Sequence, residues 1–168
     1  MTALNRRKIL SASLLGISVC GTATLVGTFG GASAKSGKTF KIRRSPAEWK
    51  KRLGPASYRI MRLEGTERAY SSPLNKEKRA GVFACAGCNL GLYSSKTKYD
   101  SRTGWPSFWA PIASNRIGKS TDHKIGYPRT EVHCARCGGH LGHIFNDGPR
   151  PTGKRHCING LALKFIPA

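Results

Sequence analysis

The sequence predicts a mainly β fold, an antiparallel body entered through short N-terminal helices, and three observations carry that expectation. Twenty Gly and nine Pro among 168 residues suit a turn-rich chain better than a helix bundle. After Gly65 the chain becomes a series of short apolar runs separated by turn residues. Ahead of them stands one well-formed helix start, Ser45-Pro46-Ala47-Glu48, which supplies an N-cap, a proline at the first helical position and a Glu closing a capping box. With 39% apolar residues the chain can bury a core, so wholesale disorder is excluded. A coiled coil, a collagen-like chain and a multi-span membrane protein are excluded with it.

The first helix continues through Trp49 and Lys50 to Leu53, where Gly54-Pro55 stops it. A second short helix is expected over 57–62. Strands are expected over 82–84, 90–93, 107–109, 124–127, 141–145, 156–158 and 161–166. There is no internal repeat beyond a pair of cysteine motifs.

Residues 1–34 read as an address. Arg6 and Arg7 precede Lys8-Ile9-Leu10, no charged residue occurs from Ile9 to Ala34, and Ala32-Ser33-Ala34 has the small-residue cleavage pattern. The paired arginines make this a twin-arginine-type export signal, implying a periplasmic protein. Gly, Ser and Thr make up 12 of the 25 residues from Leu10 to Ala34, which favours a cleaved signal. An uncleaved membrane anchor is the alternative, because an uncharged run of this length could span a bilayer. A lipoprotein reading through Cys20 is weaker, since Val19 is bulky where such signals want a small residue. Residues 35–44 form a mobile basic lead, and 45–168 a single domain. The chain from 35 onward retains 26 basic and 8 acidic residues, a net charge of +18.

Four cysteines have metal-ligand spacing. Cys85-Ala86-Gly87-Cys88 and Cys134-Ala135-Arg136-Cys137 each place two thiols in a tight turn, with Gly91 and Gly138-Gly139 close behind. Together they suit one tetrahedral structural zinc ion, with no ligand position open for catalysis. Forty-five residues separate the pairs, so the site would clip together hairpins distant in the chain. Two disulfides are the alternative, and export to an oxidising compartment gives it weight. Against it, twin-arginine export carries folded proteins whose thiolates a metal already occupies.

Cys157 has no partner left in the chain after residue 34. Flanked by Arg155 and His156 in a basic chain, it is expected to lean toward the reactive thiolate. A small buried residue filling a β core is the alternative. His140 and His143 stand three apart, and Asp147 follows. Imidazoles beside a thiolate can donate protons to a departing oxygen, and a carboxylate can hold the required tautomer. Trp105, in Gly104-Trp105-Pro106-Ser107-Phe108, offers a ring that suits a thioether methyl. Singly, each has another reading: Trp105 as core, the histidines as satisfied surface or metal-supporting groups, Asp147 as a turn residue.

Taken together, these segments resemble the B-type peptide-methionine sulfoxide reductases, which reduce the R epimer. The resemblance runs from about Glu64 to the C-terminus through Glu64-Gly65-Thr66-Glu67, both C-x-x-C pairs, 99–108, 140–149, 155–159 and 163–167. It implies two antiparallel sheets with short N-terminal helices, and a zinc on Cys85, Cys88, Cys134 and Cys137 away from the active site. It implies Cys157 as the nucleophile toward sulfoxide sulfur, and His140 and His143 as the groups that orient and protonate the oxygen. Asp147 and Asn159 would support them, Arg155 would favour the Cys157 thiolate, and Trp105 would hold the methyl group. Oxidised proteins carrying methionine-R-sulfoxide are then the substrates, and Cys157 becomes a sulfenic acid.

One departure matters. Many members read S-G-C-G-W-P-S-F at the tryptophan motif, and that cysteine resolves the sulfenic acid; here Arg102 and Thr103 stand instead. A thioredoxin-like protein or a small thiol is therefore the expected reductant. The high positive charge admits a competing class, a nucleic-acid-binding or exported zinc module without catalysis. The basic residues are spread along the chain rather than gathered on one face, so no nucleic-acid partner is expected, and a monomer is.

Overall fold

A computed structural model describes residues 39–168; the expected signal at 1–34, its membrane-anchor alternative and the start of the basic lead lie outside the described residues. Among the described residues no helix is long and apolar enough to cross a membrane.

Helix α1 spans Pro46–Leu63 and opens as its capping box requires. Ser45 Oγ accepts from the Glu48 N–H at 3.3 Å, and the Glu48 carboxylate accepts from the Ser45 N–H at 2.8 Å. Gly54 sits at φ 70°, ψ 170° within it. The stop expected at Gly54-Pro55 is thus a kink joining two helical segments, and Glu64 ends the second in left-handed conformation. Just before the helix, Ile42 N–H donates to the Arg136 carbonyl at 3.0 Å and the Phe40 ring packs edge-on against His133.

Nine strands follow: β1 Gly81–Cys85, β2 Gly91–Ser94, β3 Lys98–Tyr99, β4 Ser107–Phe108, β5 Ile117–Asp122, β6 Arg129–Cys134, β7 His140–Phe145, β8 Arg155–Ile158 and β9 Leu163–Pro167. They form two antiparallel sheets, ordered β2-β1-β9 and β3-β4-β8-β7-β6-β5. The strand expected over 124–127 is a turn instead. Gly126, at φ +86°, closes the β5–β6 hairpin there, and the apolar Ile125 and Tyr127 that suggested a strand are exposed.

The core lies between the sheets. Tyr93 stacks on Phe108 at 4.4 Å, and Phe83 meets Phe108 and Phe165 at 5.0 Å. Residues directly opposite on paired strands share a sheet face. Phe108 lies opposite His156, and His156 opposite Ile144, so this file belongs to the core face. The next file belongs to the other face. It crosses all six strands as Tyr99, Ser107, Cys157, His143, Glu131 and Ser120.

Candidate active site

Cys157 stands in the middle of that file, opposite Ser107 on one side and His143 on the other. His140 is three residues from His143 and would face the other way on a regular strand. A bulge corrects this: Val132 pairs with Gly142 but His133 pairs with His140, leaving Leu141 as the extra residue. His140 therefore joins the Cys157 face, with its ring 5.4 Å from that of His143. Gly142 between them is required by close approach, since a Cβ there would lie 2.0 Å from the Cys157 carbonyl oxygen.

The carboxylates behind the two imidazoles were not evident from the sequence. Asp147 was expected to support them, but it holds Arg155 instead, through paired hydrogen bonds of 2.9 and 2.8 Å. His140 Nδ1 meets Glu131 Oε1 at 2.8 Å, and both residues are buried. The other Glu131 oxygen accepts from Ser120. His143 Nε2 meets Asp122 Oδ2 at 2.7 Å, and Arg129 donates to the same oxygen at 2.6 Å. Burial holds the His143 ring below its ordinary titration range, with Asp122 opposing. Burial would raise the Asp122 carboxyl, but bonds from the Lys124 N–H, His143 and Arg129 hold it at about 2. A neutral His143 beside that carboxylate keeps its proton on Nε2. His140 Nε2 is buried without a hydrogen-bond partner.

Arg155 and Cys157 share a face, two residues apart, whereas His156 points into the core and bonds Tyr93 at 3.1 Å. Burial pushes His156 down to about 4, so it carries no charge to the thiol. The expected bias toward thiolate is also incomplete. Burial pushes the Cys157 thiol up, and the Arg155 charge beside it pulls the other way. Arg155 lies over the Phe145 ring at 4.4 Å, which braces it beside the sulfur.

Trp105 and Asn159 are tied through Glu67, a second buried carboxylate, which belongs to the Glu64–Glu67 segment of the resemblance but had no role assigned there. Trp105 Nε1 donates to the Glu67 carbonyl at 3.1 Å, which fixes the indole. The Glu67 carboxylate accepts from the Gly160 and Leu161 N–H groups, and its own N–H donates to Asn159 Oδ1 at 3.0 Å. Asn159 Nδ2 donates to the Leu141 carbonyl at the bulge. Asn159 thus braces the site from behind.

The four paired cysteines form a separate cluster, all buried, with their sulfurs within 4.8 Å of one another. Cys85 and Cys137 sulfurs are 3.7 Å apart, and those of Cys88 and Cys134 3.5 Å. These are non-bonding distances rather than the ~2.05 Å of a disulfide. They match the roughly 3.8 Å edge of a tetrahedron with Zn–S of about 2.3 Å. The two turns are built alike. Cys85 N–H donates to Leu90 O and Asn89 N–H to Cys85 O; Cys134 N–H donates to Gly139 O and Gly138 N–H to Cys134 O. Asn89 and Gly138 hold the same left-handed position, at φ 58° and 68°. Arg52, Arg62 and Arg136 donate to the carbonyls of Gly87, Cys137 and Cys88, placing positive charge around four thiols. The donor set fits a divalent, thiophilic metal such as zinc.

A thiol between an arginine and two carboxylate-backed imidazoles, beside a fixed indole and apart from a four-cysteine cluster, is an arrangement suited to thiol-based oxidoreduction. The family model of the SelR domain matches residues 53–167. Proteins named peptide methionine sulfoxide reductase MsrB are 50% identical in Leptospira interrogans, over 75% of this chain and 96% of theirs, and in Pseudomonas putida, over 76% and 96%. The one named so in Methanosarcina barkeri is 50% identical over 74% of this chain and 87% of its own. The chain belongs to the SelR-domain family of peptide methionine sulfoxide reductases.

Proposed function

We propose that the protein reduces the R epimer of methionine sulfoxide in oxidised proteins, with Cys157 as nucleophile and an external thiol as reductant. The observation that carries this reading is the bulge at Leu141, which puts His140 and His143 on the face of Cys157. Sulfoxide oxygen leaves poorly until protonated, so acid and thiolate must meet on one sulfoxide group. Trp105 supplies the apolar wall for the methyl group, and Arg155 the charge beside sulfur. His140 delivers a proton from Nε2 while Glu131 stabilises its ring at Nδ1, and His143, its own proton on Nε2, orients the protonated oxygen by accepting at Nδ1. Oxygen passes to Cys157, two electrons leave the thiol, and methionine is released. The sulfenic acid then condenses with one external thiol, losing water, and a second thiol frees Cys157 as a disulfide departs. Thr103 cannot provide an internal disulfide, which favours a thioredoxin-like protein or small thiol as donor.

One zinc held by Cys85, Cys88, Cys134 and Cys137 would clip the turn after β1 to the turn after β6, supplying stability and no chemistry. Residues 1–34 support export to the periplasm, and the domain would work as a monomer. The test is turnover of a peptide carrying each sulfoxide epimer, with dithiothreitol, by the protein and its Cys157→Ser variant. Reduction of only the R epimer, lost in the variant, is expected. No turnover by the folded, zinc-loaded protein would overturn the reading.

A further inference from the structure

Next to Ser120 and Glu131 on the Cys157 face stands one further pair. Asp122 and Arg129 are strand partners at the end of the β5–β6 hairpin, each two residues along its strand from Ser120 or Glu131, so both side chains lie on the face of the nucleophile. Asp122 accepts from three donors. The Lys124 N–H reaches Oδ1 at 2.8 Å, while the Arg129 guanidinium, at 2.6 Å, and His143 Nε2, at 2.7 Å, meet on Oδ2. His143 is in turn the strand partner of Cys157. The side chains of His143, Asp122 and Arg129 are only 11%, 12% and 19% exposed, so water screens their charges incompletely.

Charge decides which state of His143 this group favours. One carboxylate faces one guanidinium, so a neutral His143 leaves the three balanced. A second proton on the ring would leave a net positive charge in a largely buried place. Without Arg129 the balance reverses, because the imidazolium would then be the cation that answers the Asp122 carboxylate. The titration of the ring agrees: burial is the first cause holding His143 down, Asp122 opposes it, and the Arg129 charge adds to it. A neutral ring that donates its Nε2 proton to Asp122 keeps a lone pair on Nδ1, which can accept from a protonated oxygen. An imidazolium has no acceptor to offer.

We propose that Arg129 is a positioning residue for the reaction: by sharing Asp122 Oδ2 with His143, it keeps the imidazole neutral and Nδ1 an acceptor. The proposal rests on the reading in which His143 orients the sulfoxide oxygen, and Arg129 acts on that oxygen only through Asp122 and His143. The two histidines then keep separate tasks. His140 gives the proton, and His143 accepts a hydrogen bond from the oxygen that received it. The titratable or charged groups around His143 come from four elements. Asp122 ends β5, with His123 and Lys124 exposed in the turn after it and the Lys124 amine drawn to Glu64 at 2.7 Å. Arg129 and Glu131 stand on β6, His140 on β7 itself, and Cys157 and the Asp147-paired Arg155 on β8.

The test is a long-range proton–nitrogen NMR titration of the histidine rings in the full zinc-loaded chain, with His143 assigned by its loss in His143→Gln. In the unaltered protein at neutral pH, the His143 ring should be neutral with its proton on Nε2. An imidazolium, or a ring protonated at Nδ1 alone, overturns the proposal without recourse to a variant of Arg129. Arg129→Gln should raise the His143 pKa by about one unit, and Arg129→Lys, which keeps the charge, should leave it near its unaltered value. An unmoved His143 in Arg129→Gln overturns the proposal. So does an equal rise in Arg129→Lys, because charge would then not be the cause. Turnover of the R sulfoxide by Arg129→Gln should fall about tenfold more on the acid side of neutrality than on the alkaline side, and an equal loss at every pH overturns the role in the reaction. Should Arg129→Gln fail to fold by circular dichroism, the tautomer of the unaltered protein and the Arg129→Lys titration decide. The NMR titration does not require turnover. A raised His143 pKa in a protein that reduces no sulfoxide would remove the reductase reading and leave the ion-pair effect standing, and normal turnover with an unmoved ring would remove the role of Arg129 alone.

Discussion

Replacing Glu131 by Ala removes the acceptor that fixes His140, at a position where neither partner reaches water. Both side chains are about 97% buried, at 4% and 3% exposure, and their bond is 2.8 Å long. An unpaired buried donor costs about 1–3 kcal/mol. The space left by the carboxylate adds roughly 1–2 kcal/mol. The sum, about 2–5 kcal/mol, overlaps the usual cost of about 3–5 kcal/mol for breaking a buried pair from one side. Against a domain stability of roughly 5–15 kcal/mol, Glu131→Ala should fold but marginally. Glu131→Gln keeps the volume and an acceptor for His140 Nδ1, so it should lose only about 1 kcal/mol. Urea unfolding followed by tryptophan fluorescence separates the two: with a slope near 2 kcal/mol per molar, the Ala variant should unfold about 1–2.5 M earlier. Glu131→Gln should instead lose kcat with little change in KM, because the charge behind His140 serves proton delivery. An Ala variant with an unshifted midpoint, together with a fully active Gln variant, would refute the assignment of Glu131.

Three further outcomes are expected. Gly142→Ala places a methyl 2.0 Å from the Cys157 carbonyl, so β7 and β8 must separate at the nucleophile; a loss of at least about 1–3 kcal/mol and of most activity should follow, read by Tm and turnover. His156 titrates at about 4 in the fold against 6.5 when free, so between those values the unfolded chain binds the extra proton. Stability contributed by His156 is therefore present above pH 6.5 and falls, by about 3 kcal/mol in all, as pH drops toward 4; His156→Phe should flatten that part of a stability-against-pH curve. Stripping metal with a strong chelator should release one zinc per chain, read by atomic absorption, and lower Tm steeply, because four buried thiols at 3.5–4.8 Å lose the cation that holds them.

The site's reacting groups were legible because their chemistry is carried by short spacings. Two C-x-x-C turns, a leftover Cys157 and the His140–His143 pair need no register to be noticed. Their supports were hidden for a physical reason. Glu131 reaches His140 from the neighbouring β6, nine residues away, and Asp122 reaches His143 from β5, two strands over and 21 residues away; only the pairing register and the Leu141 bulge bring them there. Arg155 and His156 looked equivalent beside Cys157, yet strand alternation sends one to the sulfur and the other to the core. The polar composition of Gly118 to Asp122 concealed β5, while Ile125 and Tyr127 advertised a strand where the hairpin turns. Gly54, by contrast, announced its kink, because its conformation at φ 70° is one that few other residues adopt.

The most direct test of the chemistry is a single turnover without reductant, using a peptide that carries the R sulfoxide and a sulfenic-acid trap. One methionine formed per chain, with the trap on Cys157 alone, is the expected result. Methionine formation with Cys157 unmodified, or the trap found on Cys85, Cys88, Cys134 or Cys137, would contradict it.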